Sequence, residues 1–380
     1  MNNFSERPFI VIWEVTQACD LACVHCRASA QTWRHPLELS TAEGERLIDE
    51  VAEMKVPVFV LTGGDPLRRP DIYELVEYAH RRGVRISLTP SATPLLSQEA
   101  IRELKKRGLA RLAVSLDGSK AEIHDAFRGV TGSYARTLEA IGWAREAGLP
   151  VQINTTITRR SLEDFDALAG LLRSLDIVLW SIFFLVPTGR GRLSDLITAE
   201  EFERVFEKIY RLAPGAPFDV KTTEAQHYRR YVLQQTAQAR RGHGARSEAP
   251  GARLSKRPDG IGRAPRGLND GKGFAFISHL GEVFPSGFLP LSGGNIRRQT
   301  LAEIYQTSPV FVSLRDTSQL KGKCGECEFR EVCGGSRARA FAMTGDALAE
   351  EPCCAYQPNT GRGRMDFREV PSTAGSARAI

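Results

Sequence analysis

Three cysteines, Cys19, Cys23 and Cys26, fall in the run Thr16-Gln17-Ala18-Cys19-Asp20-Leu21-Ala22-Cys23-Val24-His25-Cys26, directly after an apolar, strand-like stretch, Phe9-Ile10-Val11-Ile12-Trp13. Three thiolates on one short CxxxCxxC loop hold three corners of a 4Fe-4S cube. The fourth iron then lacks a protein ligand. An open metal position is where a small molecule can be bound and activated, whereas a fully ligated cluster only moves electrons. A zinc site would have to recruit His25 as its fourth ligand. Adjacent His25 and Cys26 are poorly placed to share one tetrahedral ion, and zinc sites favour paired CxxC knuckles. A buried structural cysteine is common singly, but three at this spacing after a strand are not.

A second group lies near the other end: Cys324-Gly325-Glu326-Cys327 and Cys333 make CxxCx5C, and Cys354 follows after twenty residues. The spacing points to a second metal site, for which zinc is the competing occupant. The chain has 380 residues and eight cysteines, and its start, Met1 to Arg7, lacks the basic-then-apolar pattern of an export signal. Metal ligation is therefore a better account of the cysteines than disulfides, and a cytoplasmic protein is expected. No stretch approaches the roughly 20 apolar residues that span a membrane.

The cysteine loop resembles that of the radical S-adenosylmethionine (SAM) superfamily. In that family the methionine amine and carboxylate of SAM chelate the open iron, and one electron from the cluster yields a 5′-deoxyadenosyl radical. The resemblance continues in Leu61-Thr62-Gly63-Gly64-Asp65-Pro66, similar to the family's GGEP motif with Asp for Glu, and in Ser115-Leu116-Asp117-Gly118 with His124 to Gly129. By this resemblance Gly63, Gly64, Asp65 and Pro66 receive the methionine ammonium, since glycine lets backbone carbonyls approach a ligand. Ser115 and Asp117 are expected on ribose hydroxyls, and Arg128 on the SAM carboxylate. Asn154 and Thr155 are expected on ribose or methionine, Leu185 and Val186 against adenine, and His25 beside adenine through its backbone and ring face. The plainer readings are a turn at Gly63-Gly64, a helix cap at Asp117 and a surface pair at Arg128.

The C-terminal string, Cys324 to Cys354, resembles the SPASM-type tail of radical SAM enzymes, and within that group the proteins acting on haem precursors in the alternative haem and haem d1 pathways. It implies a single auxiliary 4Fe-4S cluster on Cys324, Cys327, Cys333 and Cys354, leaving Cys353 over as the alternative to Cys354 for the fourth position. Ser286 stands where many such proteins carry a further cysteine. The implied activity is reductive cleavage of SAM and hydrogen abstraction from a carboxylate-bearing substrate, a tetrapyrrole side chain, with an electron donor such as ferredoxin or flavodoxin. The alternative is a peptide maturase that crosslinks a ribosomally made precursor. A third reading, a zinc or nucleic-acid module, would bind no SAM. No catalytic acid or base is assigned.

The elements that must position these residues alternate in type. Strand-like runs cover Phe9–Val15, Val58–Thr62, Arg85–Thr89, Leu112–Leu116, Gln152–Ile157 and Leu179–Val186. Amphipathic helical patterns cover Thr41–Met54, Ile72–Arg82, Gln98–Arg107, Ser133–Ala147 and Leu162–Leu175, with Ser40 or Thr41 as an N-cap and Gly83, Gly108 and Gly148 as stops. Six strand–helix units predict an α/β fold with a parallel sheet. The family resemblance selects a partial (β/α)6 TIM-type barrel, which periodicity alone does not separate from a doubly wound sheet, followed by a small cysteine-rich SPASM-like domain. The expected organisation is a barrel over 1–212, a connecting segment over 213–272 and the cysteine-rich domain with its tail over 273–380. A hairpin is expected at Phe274–Ser278 and Gly281–Phe284.

The net charge of +6 has a local origin, because residues 236–267 hold eight Arg or Lys against two acids. This segment, rich in Gly, Ala and Pro, is expected to be a loop or linker. Its functional reading is a lid for a polyanionic small molecule. Without interleaved aromatics for stacking, it argues against nucleic acid.

Overall fold

The computed structural model describes residues 4–243, 259, 261 and 267–359, with the side chains of 240–243 excepted. Seven parallel strands in sequence order form its frame: β1 (Ile10–Glu14), β2 (Val58–Thr62), β3 (Ile86–Leu88), β4 (Arg111–Ser115), β5 (Val151–Ile157), β6 (Leu179–Phe184) and β7 (Asp219–Thr223). The crossovers are α1 (Thr41–Glu53), α2 (Ile72–Arg81), α3 (Gln98–Lys106), the pair α4 (Ala121–Arg128) and α5 (Ser133–Glu146), α6 (Phe165–Leu172) and α7 (Ala199–Gly215). A doubly wound sheet reverses its strand order at a switch point. This sheet never reverses between β1 and β7, which is the order of a partial barrel.

After α8 (Tyr228–His243) the chain returns to the other edge. There β8 (Phe274–Ile277) pairs in parallel with β1, setting Ile10 beside Phe274 and Trp13 beside Ile277. The antiparallel β9 (Glu282–Phe284) and β10 (Gly294–Asn295) complete a ten-stranded sheet. Four short helices follow: α9 (Leu301–Thr307), α10 (Pro309–Arg315), α11 (Gly322–Glu326) and α12 (Arg337–Thr344). Among the described residues no helix is long and apolar enough to cross a membrane.

Local sequence explains the frame. On β5 buried and half-buried residues alternate strictly, as a strand with one face on the core requires. Ser40 closes a capping box on α1, accepting from the Glu43 amide while the Glu43 carboxylate accepts from the Ser40 amide. The helix expected over 162–175 is shorter than its pattern, because turns at Ser161–Asp164 and Leu171–Ser174 consume both ends. Elements that the sequence reading left unassigned include α4, α7, α8 and β7 and, near the C-terminus, β10 and α10 to α12. The residues of β7 are all half-buried, so that edge strand carries no apolar alternation to read.

Residues 236–267 depart from the expected loop. The first of them continue α8 to His243. Further on, Asp259 pairs with Arg111 at 2.5 Å, and Ile261 joins Phe4, Ile10 and Val58 in an apolar cluster. A buried ion pair and a buried aliphatic side chain thus anchor the segment at the N-terminal ends of β1, β2 and β4. The cysteine loop leaves the opposite, C-terminal end of β1. The basic side chains expected to form a lid lie outside the described residues.

The C-terminal part is locked to the strand ends by one guanidinium. Arg339, fully buried, gives Nε to the Leu185 carbonyl at 3.2 Å, Nη2 to the Glu224 carbonyl at 2.5 Å and Nη1 to both Glu351 oxygens at 3.0 and 3.1 Å. Replacing Arg339 by Leu strands the Glu351 carboxylate, so the expected loss is roughly 3–5 kcal/mol. Urea unfolding of R339L, E351L and the double variant checks this, with the double change expected to cost clearly less than the two single losses added.

Candidate active site and a second cysteine cavity

The cysteine loop is held by backbone contacts to the ends of neighbouring strands. The Gly64 amide donates to Thr16 O at 2.8 Å and the Asp65 amide to Ala18 O at 2.7 Å. The approach is so close that a Cβ on Gly64 would lie 2.5 Å from the carbonyl oxygens of Gln17 and Ala18. Only glycine fits there, so Gly63-Gly64 seats the cysteine loop. On the far side the Val24 amide donates to Phe127 O at 3.0 Å, and the Arg190 amide to Cys26 O at 2.9 Å.

Cys19, Cys23 and Cys26 line one large cavity of about 1150 Å³, its open mouth included. Of the residues expected around a ligand, His25, Gly63, Gly64, Ser115, Arg128, Asn154, Leu185 and Val186 also line it. Asp65, Pro66, Asp117 and Thr155 do not. The buried Asp65 carboxylate instead accepts from the Thr93 hydroxyl at 2.7 Å and the Leu67 amide at 3.2 Å, and Pro66, itself buried, starts a 3-10 turn. Asp117, fully buried, accepts from the Thr156 amide at 2.7 Å and pairs with Arg128. Thr155 gives its hydroxyl to Leu116 O at 2.7 Å and receives the Trp180 indole N–H at 2.9 Å. Strand alternation turns Asn154 and Thr156, not Thr155, toward the cavity.

Arg128 is therefore already engaged, with Asp117 on one nitrogen and Cys23 Sγ 3.6 Å from Nη1. His25 stacks on Phe127 at 4.2 Å between ring centroids, so one of its faces is taken. Burial, reinforced by the Arg128 charge, holds its pKa near about 3, and the imidazole stays neutral. Burial also pushes the Cys19 thiol up, although Ser91 Oγ lies 3.3 Å from its sulfur. Sequence reasoning missed Thr89 and Ser91 beyond β3, Arg27 inside the cysteine loop, and Arg190 beyond β6, all of which line the cavity. For Arg190 the only sequence signal was its place in Pro187-Thr188-Gly189-Arg190-Gly191, just after a strand end.

A second, smaller cavity of about 380 Å³, again counting its mouth, is lined by Cys324, Cys327, Cys333 and Cys354 with His227 and Arg230. Cys353 faces away and belongs to the main hydrophobic core. Backbone N–H groups already point at two of the sulfurs, Glu351 N at 3.2 Å from Cys324 Sγ and Gly335 N at 3.4 Å from Cys333 Sγ. Burial pushes the Cys327 thiol up to about 12 and raises Cys324, Cys333 and Cys354 as well. Both ring nitrogens of the buried His227 lack a hydrogen-bond partner. Among the described residues no three His, Cys, Asp or Glu side chains converge on one ion-sized point.

Residues 13–172 match the family model described as the radical SAM superfamily. The chain is 43% identical to the AdoMet-dependent heme synthase of Methanosarcina barkeri over 92% of this chain and 97% of that protein. The chain belongs to the radical SAM superfamily. It is also 30% identical to the PqqA peptide cyclase of Rhodopseudomonas palustris, over 98% of this chain and 93% of that one. Its fold matches that of Streptococcus suis SuiB bound to S-adenosylmethionine with a TM-score of 0.69 at 16% identity, covering 92% of this chain and 78% of that one.

A radical SAM enzyme uses a 4Fe-4S cluster and SAM, and the large cavity fits both. Three thiols face it from one loop, and buried donors on Arg128, Arg190 and His25 find no partner within the protein. Asp65 offers a check on the loop's seating. Burial lifts its pKa from 3.8 to about 6, against the hydrogen bonds from Thr93, Leu67 and Ser91. Because the folded state holds this proton to higher pH than the unfolded chain, Asp65 stabilises most below about pH 4. That contribution, up to about 3 kcal/mol, declines as pH rises to about 6. Asp65→Asn removes the titration, so the stability advantage of wild type over the variant should shrink across that window. An advantage that stays flat in chemical unfolding from pH 4 to pH 7 would contradict a raised Asp65.

Proposed function

We propose that this radical SAM enzyme acts on a carboxylate-bearing tetrapyrrole, abstracting hydrogen from a propionate arm of a haem precursor. The observation that carries this reading is the 43% identity, over nearly the whole of both chains, to a protein named AdoMet-dependent heme synthase. The peptide-maturase alternative rests on the lower identity of 30% to a peptide cyclase.

In this reading Cys19, Cys23 and Cys26 hold the SAM-binding 4Fe-4S cluster, which when bound supplies the electron that cleaves SAM. The protein's own residues do the rest. Gly63 and Gly64 keep backbone polar groups within reach of the ligand, while Ser115, Asn154 and Thr156 present polar groups on adjoining strands. Leu185 and Val186 supply an apolar wall, and neutral His25 lends its free ring face. Asp117 acts through Arg128, fixing that guanidinium beside Cys23. Asp65 and Pro66 act through the turn they shape, and Thr155 through the packing of β5 on β4.

Hydrogen-atom abstraction leaves a carbon radical on the substrate, and a closed-shell oxidised product forms only when that radical gives up one further electron. Cys324, Cys327, Cys333 and Cys354 would hold one auxiliary 4Fe-4S cluster, which when bound would accept that electron. Four thiols spread round the walls of a cavity suit a cube with separate corners better than one tetrahedral ion, and amides aimed at the sulfurs favour thiolates. Cys354 rather than Cys353 completes the set, since Cys353 faces the core. A small reducing protein of the ferredoxin or flavodoxin kind would deliver the first electron.

Replacing Cys19, Cys23 and Cys26 together by Ala should abolish reductive cleavage of SAM and leave about four of about eight irons after anaerobic reconstitution. Stoichiometric zinc without labile sulfide would contradict the auxiliary cluster. Incubating the intact enzyme anaerobically with SAM, a reductant and a propionate-bearing iron porphyrin should change the porphyrin's mass as 5′-deoxyadenosine forms. If 5′-deoxyadenosine accumulates while the porphyrin is unaltered, the substrate reading fails.

A further inference from the structure

Three guanidinium groups stand in the wall of the large cavity, and their engagements differ. Arg27 gives Nη2 to Glu14 at 2.8 Å and lies over the Phe276 ring, 4.3 Å from its centroid. Arg128 is paired with Asp117 and reaches Cys23. The Nε and Nη2 atoms of Arg190 are buried, although the side chain as a whole is partly exposed, and neither meets an acceptor. The N–H bonds of these two atoms run side by side along one edge of the guanidinium, the edge that takes both oxygens of a carboxylate. A charged donor edge withdrawn from water with nothing to bond carries a free-energy cost that a ligand anion would remove.

The loop cannot easily turn this edge elsewhere. The Arg190 amide is bonded to Cys26 O at 2.9 Å. Gly189 has φ +59°, and a Cβ there would lie 2.3 Å from Arg27 O. Arg190 is thus positioned by the same loop that carries the three cysteines. His25, beside it, offers an unpartnered Nδ1 and no negative charge.

We propose that the Nε–Nη2 edge of Arg190 is a carboxylate subsite of this cavity, filled on ligand binding by the carboxylate of SAM or by a propionate of the porphyrin. The porphyrin source rests on the haem-precursor reading, and the SAM source does not. Arg128, which sequence alone would put on the SAM carboxylate, is committed to Asp117, whereas Arg190 keeps a bidentate edge open.

The test is equilibrium binding to the anaerobically reconstituted full chain, as wild type, Arg190→Lys and Arg190→Gln. Four probes are used: SAM, decarboxylated SAM, a propionate-bearing iron porphyrin and its methyl ester. Both variants should bind one of the two acids tenfold or more weakly than wild type does, while binding its neutral counterpart with unchanged affinity. The acid that weakens identifies the source. Lys keeps the charge but lacks the fork, so a loss in both variants marks bidentate recognition. Acid-to-neutral affinity ratios that match wild type for both pairs would overturn the subsite. Should a variant fail to fold, wild type still keeps the subsite falsifiable: equal affinity for acid and neutral forms in both pairs also overturns it. Wild type that binds neither SAM nor porphyrin would sink the proposed function and the subsite together. Binding that is indifferent to Arg190 would remove the subsite alone.

Discussion

The structure turns on how a loop with almost no regular secondary structure is made rigid enough to hold three thiols on one surface. Residues 16–31 close on themselves through backbone bonds such as Cys19 N to Gln31 O and Gln31 N to Gln17 O, and an equal number of backbone bonds tie them to other segments: Gly64 and Asp65 amides from the end of β2, the Phe127 carbonyl from α4, and the Arg190 amide from beyond β6. Backbone amides and carbonyls withdrawn from water must be paired, and here that requirement does the positioning. The glycines follow from it. A side chain at Gly64 or Gly189 would enter the carbonyls that these contacts bring together, so the loop and its supports can only be built with glycine at those points.

The same logic governs charge. An anionic cluster with its ligand needs cations nearby, yet a buried unpaired cation is costly. The protein resolves this by pairing most of its cavity arginines internally. Arg27 is balanced by Glu14, which also accepts from His279, and burial of Glu14 is outweighed by these partners, so its pKa stays low. Arg128 is balanced by Asp117, likewise held ionised despite full burial, because the Arg128 charge and the Thr156 amide oppose desolvation. Farther in, Arg339 is matched to Glu351, whose backbone amide in turn points at Cys324. Neutralised pairs stiffen the walls, and a cation left without a partner is then a feature of the ligand site rather than of the fold.

Much of this was legible in the sequence. The strand and helix alternation, the cysteine loop directly after β1 and the glycine pair directly after β2 are local signals, and the fold has them in that order. What was not legible depends on contacts between distant segments. Arg190 reads as one residue of a turn until its amide is seen on Cys26 O. Asp117 and Thr155 carry the right residue types for a ligand but are turned away, one by its pairing with Arg128 and the other by strand alternation. α8 is polar enough to read as the start of a linker, and only its packing beside α7, with Phe206 5.3 Å from Tyr228 between centroids, makes it a helix of the core.

The two cysteine cavities are built by opposite strategies. The first takes its three thiols from one loop and draws most of its remaining wall from the ends of β2 to β6 and from α4 and α5, which leaves a wide mouth for a ligand. The second collects four thiols from three stretches of the C-terminal region and closes round them with His227 and Arg230, in about a third of the volume. A site with a ligand-free corner needs space and exchangeable partners, whereas a fully ligated one needs exclusion of water and hydrogen bonds to sulfur. Between them lie Arg339, whose guanidinium touches the carbonyl of Leu185 in the first wall, and Glu351, whose amide touches a sulfur of the second. One buried ion pair therefore joins the walls of the two cavities, so that the carbonyl bordering the first and the amide facing a sulfur of the second are held by the same pair of side chains.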